Sequence, residues 1–164
     1  MEALERRMRE HEQRLAKLEE MHDCKDHLRY HDNLTDRTRE LWYESNIYDD
    51  AIDKFMLGYS HECPTCRESP SLTMPVYGRD NQLVDIRHRL LAPNGSGKYR
   101  PHRGGLGTHL FNAPILRSSH ERLLVVEGEK KVICLDQAGF PAVGIMGKAA
   151  WNKRWFDWFD VGRV

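Results

Sequence analysis

No apolar run in the 164-residue sequence approaches the ~18 residues that span a bilayer, so no membrane span and no membrane partner are expected. The N-terminal segment Met1-Glu-Ala-Leu-Glu-Arg-Arg7 lacks the apolar centre of a secretory signal. Cysteine is scarce, with four in the chain. Without an export signal these read as free thiols in a reducing, cytoplasmic setting. Acid is missing altogether from Ile86 to His120, a stretch that carries Arg87, Arg89, Lys98, Arg100, Arg103 and Arg117, a net of +6, with four histidines.

That island stands out because the whole chain is neutral, with 25 basic and 25 acidic residues. Residues Met1 to Glu62 hold 16 acids against 10 Lys and Arg, a net of −6. A basic surface in a neutral chain suits a polyanion, since each phosphate it neutralises releases counterions. Other anions fit the same charge, and a solvated loop is the plain alternative.

The N-terminal third reads as helices. Residues 1–31 form one charged helix, whose Leu4, Met8, His11, Leu15, Leu18 and His22 make a weak heptad seam. Two of those six positions are His, which favours a solvated helix with one apolar stripe over a coiled coil. Asp32-Asn33 breaks it. Thr35 caps a second helix ending at Ser45-Asn46, and Asp49 or Asp50 opens a third, stopped by Gly58.

Strands follow. Leu72 to Tyr77 and Gln82 to Leu90 read as a hairpin around Gly78-Arg-Asp-Asn81. Alternation puts Leu83, Asp85, Arg87 and Arg89 on one face, and Val84, Ile86, His88 and Leu90 on the other. Two glycine-rich loops, Pro93 to Gly97 and Arg103 to Gly107, lie among the basic residues, where glycine permits close approach of backbone to phosphate. The last third reads β-α-β-α. Leu123 to Val126 is a continuous apolar run, expected to be buried on both faces of a parallel sheet. A helix over Lys130–Ala138, a strand over Ala142–Met146, an amphipathic helix over Trp151–Phe159 and a strand starting at Val161 complete it. The fold class is α/β: an α+β N-terminal lobe, then a partial Rossmann-like parallel sheet. The expected divisions are 1–34, 35–118 and 119–164. Ligands of such sheets gather at the carboxyl ends of strands, where Glu127 sits.

Leu123-Leu-Val-Val-Glu-Gly-Glu-Lys-Lys131, followed by Gly139-Phe-Pro-Ala-Val-Gly-Ile-Met-Gly147, resembles the first half of a Toprim domain. Upstream, Tyr43 to Ile47, Phe55 to Tyr59, Met74 to Tyr77, Leu83 to Arg89, Lys98-Tyr99 and Leu110 to Asn112 resemble, in the same order, the motifs of the bacterial- or phage-type DNA primase core. The resemblance spans residues 35 to 164. It implies synthesis of RNA primers on a single-stranded DNA template from ribonucleotides, with Mg²⁺ or Mn²⁺ as cofactor and a replicative helicase as a further partner. Glu127 matches the catalytic, metal-binding glutamate of the family. Lys98 matches a lysine that contacts nucleotide or template phosphate, and Arg87 and Arg89 match a basic ridge that follows the template. Tyr99 is placed to stack a base or pack structurally, Arg103 joins the basic set, and Gly128 and Gly147 serve strand-to-helix turns.

The sequence also departs from that family. Lys131 stands where an aspartate is common, and Arg100-Pro101 follows Lys98-Tyr99 in place of Leu-Asn. The family's Asp-x-Asp motif is expected beyond Val164, so the chain reads as a fragment or truncated form that is inactive alone. Cys24, His27, Cys63 and Cys66 could together ligate zinc. Their spacing does not match the family's zinc ribbon, and free thiols with surface histidines are the preferred reading. A non-catalytic module for single-stranded DNA or nucleotide, or another Toprim enzyme such as a nuclease, are the alternative functions.

Overall fold

Charged residues carry the first helix, α1 (Glu2–His22), out into solvent, and only its C-terminal end reaches the core through the fully buried Met21. The computed structural model describes residues 2–65, 67, 69–93, 95, 97–147 and 150–159. A second helix, α2 (Asp26–Asp32), follows after a break at residues 23–25, so the single helix expected over 1–31 is two. Asp23 is unfavourable at a helix C-terminus, while Asp26 suits the start of a new one, and the break obeys both preferences. Thr35 caps α3 (Asp36–Tyr43) as expected, and Thr38 returns the bond, donating from its backbone N–H to Thr35 Oγ1 while accepting from Thr35 N. The short α4 (Asp49–Lys54) starts from Tyr48, with both aspartates in its first turn. Met56, at φ 51°, turns the chain out of it. Gly58, expected to stop this helix, instead opens a strand.

That strand, β1 (Gly58–Ser60), joins β2 (Ser71–Tyr77), β3 (Leu83–Leu90) and β4 (Tyr99–Pro101) in an antiparallel sheet of order β1-β2-β3-β4. Pro75 sits in an inner strand without penalty because β1 pairs with β2 only as far as Thr73. The hairpin turn over residues 78–82 is closed by Gly78 N–H donating to Gln82 O. Tyr77 pairs with Leu83 but Val76 with Asp85, leaving Val84 as an extra residue. This bulge overturns part of the expected alternation. Leu83 packs with Ile86, Met21, Tyr30 and Leu106, while Val84 enters the main core with Trp42, Ile52, Met74 and Phe111. Arg87 and Arg89 lie beyond the bulge and still share a face.

The second sheet has the order β5-β7-β6, built from β5 (Leu110–Phe111), β6 (Leu124–Glu127) and β7 (Ala142–Ile145). A 3-10 helix (Ala113–Arg117) follows β5. β6 and β7 run parallel, joined by α5 (Glu129–Gln137), whose Val132 and Ile133 are fully buried. The expectation that β6 is buried on both faces fails. It pairs with β7 alone among the described residues, and Leu124 and Val125 are 39% and 43% exposed. An apolar run reads identically in a central strand and in an edge strand whose second neighbour is missing. Residues Lys153–Trp158 form a 3-10 helix rather than the expected amphipathic α-helix; Trp155 still packs against Leu110, Leu116 and Val143. The strand expected from Val161 lies outside the described residues. No helix among them is long and apolar enough to cross a membrane.

Candidate functional site

The two sheets meet around a cavity of about 350 Å³ lined by Arg87, Gly97, Lys98, Tyr99, Arg100, Glu127, Gly128, Glu129, Met146 and Gly147. Residues singled out for chemistry or for turns in the two halves of the chain thus meet in one place: Arg87, Lys98, Tyr99, Glu127 and Gly128, with Gly147 beside them. The geometry follows from the parallel pairing of β6 and β7, which puts Glu127 opposite Ile145 and brings both strand ends to the same edge. Gly128 turns from β6 into α5 at φ 96°, its N–H donating to Ile145 O at 3.0 Å, and Gly147 leaves β7 at φ 121°. These are backbone conformations that favour glycine, as strand-to-helix turns at these positions require.

Glu127 is exposed at the end of β6. Its neighbour Glu129 is the opposite case. Its side chain is 4% exposed and accepts from Arg87 Nε at 3.2 Å. Glu129 is a site residue that the sequence motifs do not single out. The signal available is its place one residue past the glycine turn, in the first turn of α5, but only β3 packed against that turn explains its burial. The Arg87 guanidinium also lies 5.9 Å from the Tyr99 ring centroid, a cation–π distance. Burial pushes the Tyr99 phenol above its ordinary pKa. Tyr99 is half-buried and also lines the cavity.

Arg89 pairs with Tyr99 in the β3–β4 ladder and stands beside the cavity rather than among its lining residues. Its charge is felt by Lys130, whose pKa falls to about 8, mainly by burial and then by repulsion from Arg89. Lys130 Nζ donates to Ser45 Oγ at 2.5 Å and lies 5.4 Å from the Trp42 ring centroid. Arg103 is elsewhere. It forms an ion pair with Glu20 of α1, and Lys17 Nζ donates to Gly104 O at 3.2 Å, so α1 covers the second glycine-rich loop.

Of the four residues considered together for zinc, three lie among the described residues. Cys24 converges with Asp26 and His102. His27 turns its ring edge-on to Tyr77 at 6.1 Å between centroids. Cys63 is fully buried, and Cys66 lies outside the described residues.

No family model and no curated protein matches the chain. Solved structures do. The RNA polymerase domain of Mycobacterium tuberculosis primase DnaG is 17% identical at a TM-score of 0.65, over 87% of this chain and 60% of that one. A DnaG primase catalytic domain bound to single-stranded DNA gives 14% identity and a TM-score of 0.61, over 84% and 58%. The E. coli primase catalytic core gives 15% and 0.58, over 76% and 53%. This chain therefore spans between half and three-fifths of each of those chains, and within that span it has the fold of a DnaG-type primase catalytic core.

Proposed function

We propose that the chain acts in DNA-templated primer synthesis, as the part of a primase core that holds single-stranded template and ribonucleotide. The observation that carries this is the cavity in which Arg87, Lys98 and Arg100, from the β3–β4 side, meet Glu127 at the carboxyl end of β6. Cations on one wall suit phosphates, and a strand-end carboxylate opposite suits the reacting end of a nucleotide. In this reading β6–α5–β7 is the first half of a Toprim fold, Lys98 is a point charge for phosphate, and Arg89 extends the basic edge along which the template runs. The setting is cytoplasmic, and a replicative helicase is the partner such an activity would need.

Mg²⁺ or Mn²⁺ would supply charge neutralisation to phosphoryl transfer, but the described residues do not fit a metal pair by themselves. Glu129 is committed to Arg87, which leaves Glu127 as the one carboxylate at the cavity among the described residues without an ion pair. Divalent ions in paired sites are clamped by several carboxylates. Glu127 fits as one member of a larger set. The same observation favours a second reading, a module that binds template or nucleotide without catalysis.

The two readings separate in one experiment. Primer synthesis is followed with labelled ribonucleotides on single-stranded DNA, and DNA affinity by fluorescence anisotropy, in a protein carrying the complete catalytic fold and in its Glu127→Gln variant. The first reading expects Glu127→Gln to abolish synthesis with DNA affinity held within about twofold, since charge is lost with little change in volume. Unaltered synthesis by Glu127→Gln would overturn the placement of the active carboxylate, and DNA binding with no synthesis by either protein would favour the binding module.

A further inference from the structure

We propose that Cys24, Asp26 and His102 are three protein ligands of a tetrahedral zinc site, its fourth position left open, that ties the break between α1 and α2 to the end of β4. The ligand atoms of these three residues all lie within 4.8 Å of one another. His102 Nε2 is 4.0 Å from Cys24 Sγ and 3.2 Å from Asp26 Oδ2. Tetrahedral zinc, with bonds of about 2.0 Å to nitrogen and oxygen and about 2.3 Å to sulfur, sets its ligands roughly 3.3–3.6 Å apart. Modest side-chain rotation brings the observed spacing to that value.

The hydrogen-bond pattern favours a cation over a nucleophile relay. In a thiol–imidazole–carboxylate relay the thiol and carboxylate address opposite nitrogens of the ring. Here both address Nε2, which can carry at most one proton. The other nitrogen, Nδ1, lies 3.0 Å from His88 Nε2, and His88 Nδ1 lies 2.9 Å from Ser71 Oγ. His88 and Ser71 are fully buried. Such a chain of bonds fixes the orientation of His102 and leaves Nε2 aimed at the Cys24–Asp26 pair, the arrangement that metal-bound histidines show. His102 is held from its backbone as well, its N–H donating to Asp85 Oδ1 at 3.1 Å.

The ligand types select the ion. One thiolate, one imidazole and one carboxylate suit zinc, whereas magnesium and calcium take oxygen alone. The position suits a structural role: Cys24 lies in the three-residue break between helices, and His102 directly follows β4, 78 positions later. Thr65 Oγ1 bonds Pro101 O at 2.6 Å and His102 O at 3.3 Å, which draws the turn beginning at Cys63 to the same strand end.

The test is metal content by mass spectrometry on the chain purified without chelator, followed by cobalt substitution. About one zinc per chain is expected, and a thiolate-to-cobalt charge-transfer band in the near ultraviolet. Cys24→Ser and Asp26→Ala, both at part-exposed positions, should each weaken zinc binding more than about tenfold, with circular dichroism unchanged, and Cys24→Ser should lose the cobalt band. Cys134→Ser should keep both. His88→Phe should weaken zinc by roughly 10–100-fold while retaining the band, the effect of removing a group that orients a ligand. A metal-free chain supplied with zinc that fails to bind it would overturn the proposal. So would full zinc occupancy in Cys24→Ser, or zinc lost from Cys63→Ser but kept by Cys24→Ser.

Discussion

Arg87 Nε and Glu129 Oε1 meet at 3.2 Å, joining β3 of the larger sheet to the first turn of α5 in the smaller one. The side chains are 17% and 4% exposed. A charge left alone in such a place costs more than the pair contributes. Glu129→Gln should therefore destabilise the fold by about 3 kcal/mol, toward the low end for a buried pair because Arg87 keeps some solvent. The double change Arg87→Met with Glu129→Leu should recover most of that loss. Urea unfolding of Arg87→Met, Glu129→Leu and the double variant measures the coupling.

On the proposed function, the same pair predicts which arginine contributes more to DNA binding. Arg87 is already neutralised by Glu129, while Arg89 is not engaged in an ion pair among the described residues. Arg89→Ala and Lys98→Ala should each weaken single-stranded DNA binding and lower the slope of log affinity against log salt by ~0.7 for each phosphate that is no longer neutralised. Arg87→Ala should change the slope less than Arg89→Ala. Anisotropy titrations at several salt concentrations give the slopes; equal changes for the two arginines would contradict the assignment.

Lys130 should titrate well below an ordinary lysine. Burial and Arg89 lower its pKa from 10.5 to about 8. The unfolded chain then binds more protons than the folded one between those values, so this residue makes stability rise as pH rises from about 8 toward 10.5. Below that window the folded state bears the cost of the buried cation. Carbon-13 methylation of the lysines and NMR should show one resonance moving near pH 8, and Lys130→Met should remove both that resonance and the alkaline gain in stability.

Gly58 admits no side chain. A Cβ there would lie 2.5 Å from Tyr30 C and 2.6 Å from Tyr30 O, where α2 passes over β1. Backbone cannot yield as a flexible side chain does. Gly58→Ala should cost about 1–3 kcal/mol by overpacking, read as a fall in the urea midpoint.

Much of this architecture is legible in the sequence. The Thr35 cap, the hairpin of β2 and β3, and the β6–α5–β7 unit each have local signals: a capping hydroxyl, alternation, and an apolar run followed by Glu-Gly. Other features depend on partners distant in the chain. The three-residue β1 and β4 are strands only because β2 and β3 lie alongside. The bulge at Val84 leaves the apolar pattern intact while changing which core each residue enters. Glu129 is buried because Arg87 meets it from 42 positions away, and Asp26 converges with His102 for a similar reason. Arg103 carries its charge to α1 rather than to the cavity, a pairing with Glu20 that spacing alone does not reveal.

The most direct measurement is the position of bound DNA. Single-stranded oligonucleotides carrying 4-thiothymine, photocrosslinked to the protein and mapped by mass spectrometry, report which side chains lie against the template. The cavity between β3–β4 and the end of β6 predicts crosslinks at Lys98, Tyr99 and the peptide containing Glu127, suppressed by competing nucleotide. Crosslinks confined to α1, with none at the cavity and no effect of nucleotide, would contradict it.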